Sequence, residues 1–131
     1  MIPQCLKGVG VLVVDDDPHV REMVKETVTS AGAVVVTSED TIGALRTIIH
    51  ERPDLIICDL NLPGAGGVAI IDGACAADPN YAHRCILMSG DELPREVKSH
   101  MDQLGVATLE KPFRIMALLE TLSGLLVRTS L

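Results

Sequence analysis

Four stretches of this sequence carry residues that could do chemistry, each at the end of an apolar run. Leu55-Ile56-Ile57-Cys58 runs into Asp59, followed by Asn61, Pro63 and the glycines at 64, 66 and 67. Val11-Leu12-Val13-Val14 runs into Asp15-Asp16-Asp17, Ile86-Leu87-Met88 into Ser89, and Val106 to Leu109 into Glu110-Lys111-Pro112. Short, nearly continuous apolar runs read as strands buried on both faces, and open α/β sheets place their chemistry at the carboxyl ends of such strands. If the first and third strands are neighbours, Asp15, Asp16 and Asp59 meet in one crevice. Three unpaired carboxylates repel one another, and a divalent cation relieves that repulsion. All-oxygen donors of this hardness suit Mg²⁺, which keeps several waters and takes a few carboxylates plus a phosphate oxygen. Lys111 facing such a crevice could neutralise a transferred phosphoryl group, and Ser89 could donate a hydrogen bond to it. Each residue also has a plainer reading. The aspartate triplet could cap a helix and solvate a loop, the role to which Asp17 is best suited; Lys111 could be a surface lysine and Ser89 a turn serine.

The elements that would position these residues alternate along the chain. Met1 to Gly10 reads as an irregular lead-in and Val9 to Val14 as the first strand. Asp17-Pro18 has the signature of an N-cap followed by a first helical residue. The first helix then runs to Ala31, with Val20, Val24, Val28 and Ala31 on one face and Gly32 ending it. Ala33 to Thr37 is the second strand. Ser38 is the expected cap of a second helix whose apolar stripe is Ile42, Leu45 and Ile49, stopped before Pro53. Leu55 to Cys58 is the third strand, and Asp59 to Gly66 a loop. The third helix spans Gly67 to about Ala77, with Val68, Ile71 and Cys75 at helical spacing. Asp78-Pro79-Asn80 is a turn, and Cys85 to Met88 the fourth strand. Pro94 opens a polar fourth helix with Val97, Met101 and Leu104 inward, and Gly105 ends it. Val106 to Leu109 is the fifth strand. Phe113 to about Val127 is the last helix, with Ile115, Leu119, Leu122 and Leu126 as its stripe. Five strands alternating with five helices require right-handed crossovers and a parallel sheet, an α/β fold. No repeat or linker interrupts the ladder, so residues 1–131 read as one domain without an output domain.

Composition agrees with this organisation. The chain has 131 residues, 47% of them hydrophobic, and its only aromatic residues are Tyr81 and Phe113. The core is therefore aliphatic. A formal net charge of -7 argues against nucleic-acid or anionic-membrane binding through a broad basic surface and suits a cation holder. Apolar stretches stop at strand length, far short of a membrane span, and the first ten residues lack an export signal. The cysteines at 5, 58, 75 and 85 form no C-x-x-C pair and have no histidine at metal spacing. They read as small hydrophobes in a reducing, cytoplasmic compartment.

Taken together, Val11-Leu12-Val13-Val14-Asp15-Asp16-Asp17-Pro18, Ile57-Cys58-Asp59-Leu60-Asn61-Leu62-Pro63, Leu87-Met88-Ser89-Gly90 and Glu110-Lys111-Pro112-Phe113 closely resemble, in order and spacing, the receiver domain of two-component response regulators. The resemblance covers essentially the whole chain. It implies a doubly wound, flavodoxin-like sheet of strand order 2-1-3-4-5. It also implies Mg²⁺-dependent transfer of a phosphoryl group from a sensor histidine kinase or histidine phosphotransfer protein. Asp59 would be the phosphoacceptor, Asp15 and Asp16 the acidic pair holding Mg²⁺, and the backbone carbonyl of Asn61 a further ligand. Ser89 would be the switch hydroxyl and Lys111 the phosphate-pairing lysine. Such a domain is a phosphoacceptor in signalling rather than a turnover enzyme, although it assists its own phosphorylation and dephosphorylation. Its usual face for an effector or a homodimer is the outward surface of the fourth helix, fifth strand and fifth helix, where Arg95, Lys98, His100 and Arg114 lie.

Three departures set this chain apart from that pattern. Thr108 stands where many receivers have an aromatic residue that rotates on activation. Gly66 replaces an acidic residue and, with Gly64 and Gly67, predicts a mobile loop. Asn61 and Asp91 flank the path of a hydrolytic water. The histidines (19, 50, 83 and 100) are scattered and none is assigned a catalytic role. Two further readings compete. A haloacid-dehalogenase-like phosphotransferase would use Asp15 as nucleophile with Asp17, but His19 lies off its pattern, no acidic strand end follows Lys111, and the chain has no room for a cap. A phosphorylation-independent pseudo-receiver is opposed by the intact carboxylates and lysine. A dinucleotide fold lacks its G-x-G-x-x-G.

Overall fold

The computed structural model describes residues 3–129. Five parallel strands form one sheet in the order β2-β1-β3-β4-β5, made of β1 (Gly10–Val14), β2 (Val34–Ser38), β3 (Leu55–Asp59), β4 (Cys85–Ser89) and β5 (Ala107–Glu110). Helices α1 (Pro18–Ser30), α2 (Thr41–Glu51), α3 (Gly66–Ala77), α4 (Arg95–Leu104) and α5 (Ile115–Thr129) alternate with them. The expected doubly wound α/β fold and strand order are therefore present. The three central strands are apolar because both their faces are covered: every residue of β3 and β4 is buried. Val11, Val13, Ile57 and Ile86 pack with α1 and α5 residues on one side. Leu12, Ile56, Cys58 and Leu87 pack with residues of α2, α3 and α4 on the other.

Local signals set most helix ends. Asp17 accepts a hydrogen bond from the His19 amide at 2.9 Å, and Pro18 opens α1. Gly105, at φ 79°, closes α4. Two expectations about α2 are corrected. Its cap is Asp40, whose Oδ1 accepts from the Gly43 amide at 2.7 Å, while Ser38 is the last residue of β2. Its buried residues are Thr41, Ala44 and Ile48, whereas Ile42 and Ile49 are 63% and 62% exposed. Five of the eleven residues of α2 are apolar, and close approach decides which of them go inside. A Cβ on Gly73 of α3 would lie 2.5 Å from Leu45 Cδ2, so small residues set the distance between the two helices.

Similar shifts occur elsewhere. In α3 the fully buried positions are Ile70, Ile71 and Ala74, with Val68 and Cys75 only packed against the cluster. Helix α5 begins at Ile115, which is 45% exposed, and buries Leu118, Leu119, Leu122 and Leu125. The turn at 78–80 continues as a short 3-10 helix, Pro79–His83, capped by Asp78. The lead-in is tied down as well: Leu6 is fully buried and its amide donates to the Ala31 carbonyl at 3.0 Å.

Candidate functional site at the carboxyl edge of the sheet

The strand order makes β1 and β3 neighbours, paired from Val11 with Leu55 to Val14 with Cys58. Both strands thus deliver their carboxylates to one edge. Asp15, just beyond β1, is fully buried; Asp59, the last residue of β3, is 7% exposed; Asp16 is exposed. One oxygen from each lies within 4.8 Å of the others. The lysine comes from further away. The end of β5 is three strands from β1, about 14 Å at the usual spacing, and the segment after β5 carries Lys111 inward. Its amide donates to the Ser89 carbonyl at 2.7 Å. Its ammonium donates to Asp15 Oδ2 at 2.9 Å and lies 3.4 Å from Asp59 Oδ1. The other oxygen of Asp15, Oδ1, accepts from the Asp17 amide at 3.0 Å, while Asp17 itself serves as the α1 cap.

The electrostatics follow from crowding like charges at a partly dry edge. Burial raises the Asp59 pKa above the ordinary carboxylate value; Lys111 opposes the rise, and Asp15 and Asp16 add to it. Burial alone would lower the Lys111 pKa, but the hydrogen bond to Asp15 and the charges of Asp15 and Asp59 outweigh it, and the net shift is upward. One ammonium against three carboxylates leaves the edge negative. The donor set is all oxygen and converges on one point, which fits a hard divalent cation. Neighbouring Cys58 takes no part: burial and the charge of Asp59 push its thiol up to about 12. This agrees with reading the strand cysteines as small hydrophobes.

Other anticipated residues are less directly engaged. Ser89 is buried at the end of β4, and its hydroxyl donates to the Asp91 backbone carbonyl at 2.6 Å rather than to a carboxylate. Asn61 is exposed in the loop after β3. Thr108, exposed on β5, lines a cavity of about 220 Å³ together with Ser89, Leu93 and Glu110. A larger cavity of about 670 Å³ lies along α4, with Arg95 and Lys98 in its wall; none of the clustered carboxylates lines either one. His100 is bound to Asp72 of α3 at 2.7 Å, and Lys98 pairs with Asp102 at 3.5 Å within its own helix. Arg114 is exposed.

Two residues near the site were not anticipated. Arg21 donates to the Asp15 backbone carbonyl at 2.8 Å, and buried Thr41 reaches the loop after β3. Neither belongs to an apolar run or a carboxylate group, so no local pattern marks them.

The chain matches the response regulator receiver domain family over residues 11–123. Response regulator MprA of Mycobacterium ulcerans is 32% identical over 134 residues, covering 95% of this chain and 53% of that protein. The chain thus spans about half the length of the curated relatives it matches. Chemotaxis protein CheY4 of Vibrio cholerae superposes with a TM-score of 0.79 at 30% identity, covering 90% of this chain and 98% of the other. The receiver domain of sensor histidine kinase PA1611 of Pseudomonas aeruginosa, solved with magnesium coordinated in its active-site cleft, gives 0.79 at 25% identity, covering 92% and 98%. The family match over most of the chain, the relatives and the shared fold agree: the chain belongs to the response regulator receiver domain family of two-component signalling.

Proposed function

We propose that this receiver takes a phosphoryl group onto Asp59 in a Mg²⁺-dependent transfer from a sensor histidine kinase or histidine phosphotransfer protein. The observation that carries the reading is the lysine seated between two carboxylates, 2.9 Å from Asp15 and 3.4 Å from Asp59, with Asp16 completing the acidic cluster. The magnesium of the Pseudomonas receiver supports it. Asp15, Asp16, Asp59 and the Asn61 carbonyl would hold the ion. Bound there, Mg²⁺ would offset the repulsion among the carboxylates and neutralise charge on the phosphoryl oxygens.

The chain's own groups do the rest. A carboxylate oxygen of Asp59 attacks phosphorus, the P–O bond forms as the donor's P–N bond breaks, and the imidazole leaves to take up a proton. Lys111 is already beside the acceptor oxygen and pairs with the incoming dianion without a large movement, so the charge is met by a preorganised group. Ser89 exchanges its bond to Asp91 for one to a phosphoryl oxygen, which draws residues 89–93 inward and biases the adjoining α4 surface. That surface, with β5 and the exposed Ile115 and Met116 of α5, is where an effector or a second copy would read the change. The domain serves as a phosphoacceptor, not a turnover enzyme, and its unbridged cysteines suit a reducing cytoplasm.

Incubation with Mg²⁺ and a small acyl phosphate, followed by intact-mass measurement, tests the reading. A single phosphoryl adduct is expected for the wild type and for no Asp59→Asn sample. An adduct that survives in Asp59→Asn and vanishes in Asp15→Asn would transfer the role to Asp15. No adduct and no Mg²⁺ binding would leave an interaction module.

A further inference from the structure

The loop after Asp59 and the start of α3 contain Gly64, Gly66 and Gly67, and the first two adopt φ +95° and +82°. So many glycines leave a segment with little stiffness of its own. One end is fastened to the sheet, where the Leu60 amide donates to the Met88 carbonyl at 2.8 Å, and the two ends are tied to each other by the Gly67 amide donating to the Leu60 carbonyl at 3.0 Å. Its middle is held from outside, by the first residue of α2. The Thr41 amide donates to the Pro63 carbonyl at 3.3 Å. The Thr41 hydroxyl lies 3.3 Å from both the Pro63 and Gly66 carbonyls, so its single proton is shared between them.

Thr41 is 3% exposed, and these two carbonyls are the acceptors its hydroxyl reaches. The packing is matched on the loop side. A Cβ on Gly64 would lie 3.3 Å from both Cβ and Oγ1 of Thr41, so the close approach depends on the glycine as well as on its left-handed backbone. The same β2–α2 turn braces the other half of the acidic edge: Arg21, which donates to the Asp15 carbonyl at 2.8 Å, lies 3.9 Å from Glu39.

From this we infer that Thr41 is a positioning residue of the acidic site: its buried hydroxyl replaces the stiffness that the glycines remove and fixes the loop that bears the Asn61 carbonyl. The inference rests on the proposed function only for the identity of the ion. Apart from that, it concerns how the loop is held in the metal-free protein. Thr41→Val keeps the shape and removes the hydroxyl, while Thr41→Ser keeps the hydroxyl and removes the methyl group.

Amide hydrogen exchange of residues 62–67 in EDTA, and Mg²⁺ affinity by calorimetry, should be measured on all three proteins. In Thr41→Val, loop exchange is expected to rise about fivefold, the worth of one hydrogen bond, with exchange in β1 and β3 unchanged. Mg²⁺ affinity is expected to fall by a similar factor, and Thr41→Ser to stay within about twofold of wild type on both measurements. Wild-type loop exchange in Thr41→Val, or equal effects of Val and Ser, would overturn the inference. Absence of Mg²⁺ binding by the wild type would defeat the metal reading instead, and the exchange comparison would still decide the role of Thr41.

Discussion

Replacing Lys111 with methionine in metal-free buffer should destabilise the protein by about 3 kcal/mol. At 2.9 Å from Asp15 and 3.4 Å from Asp59, unit charges attract by about 6 and about 5 kcal/mol at an effective dielectric constant near 20. Desolvation of the three groups cancels much of that gross attraction. Removing one partner of a buried pair and leaving the other uncompensated typically costs about 3–5 kcal/mol. The Lys111 side chain is 20% exposed and that of Asp15 not at all, which places the expected cost at the lower end. Because the loss comes from orphaned carboxylates, Asp59→Asn in the same chain should recover about 1 kcal/mol or more beyond additivity, and saturating Mg²⁺ should shrink the deficit. Urea unfolding of the four proteins of this double-mutant cycle, in EDTA and then in Mg²⁺, measures each quantity. A Lys111→Met variant within about 0.5 kcal/mol of wild type, or strictly additive effects with Asp59→Asn, would refute the electrostatic account of the edge.

Burial and neighbouring carboxylates raise the Asp59 pKa, so folding favours its protonated form. The stability from that preference is complete below the unfolded value, about pH 4, and is lost as pH rises through the higher folded value. Asp59→Asn should therefore unfold at higher urea than wild type at pH 7 in EDTA, with the gain disappearing near pH 3.5; an unchanged gain at both would contradict the assignment. Gly67→Ala would place a Cβ 2.1 Å from the Asp59 carbonyl oxygen. It should cost about 3 kcal/mol by calorimetry, while Gly90→Ala, with nothing within 4 Å, should cost little. Iodoacetamide at pH 8 should modify the half-buried Cys5 and Cys75 in the native protein and all four cysteines in guanidinium, because Cys58 and Cys85 are fully buried; intact mass counts the adducts.

The central strands and their chemical ends were legible because a strand covered on both faces must stay apolar to its end, so Asp15, Asp59 and Ser89 stand out as abrupt changes of character; β5 is an edge strand with Thr108 and Glu110 exposed, and Lys111 is marked only by its place after it. Asp17 and Gly105 were legible as local chain chemistry. The phase of α2 was not: with apolar side chains at 42, 44, 45, 48 and 49, its pattern permits several buried faces, and the approach of Gly73 to Leu45 chooses among them. The α2 cap was misread for a related reason, since Ser38 and Asp40 are both competent and the extent of β2 pairing decides between them. Contacts that cross the sheet leave still less trace. The pairing of Lys111 with Asp15 spans 96 positions, and the Thr41 hydroxyl finds its acceptors only once the β3–α3 loop folds against α2.

The most direct test of the central claim is to locate the modification by peptide mapping after incubation with Mg²⁺ and a small acyl phosphate. The phosphoryl group is expected on the peptide containing Asp59, in an acyl linkage cleaved by hydroxylamine, with the peptide containing Asp15 to Asp17 unmodified. A phosphoryl group on Asp15, or an unmodified Asp59 in a protein that binds Mg²⁺, would contradict the account.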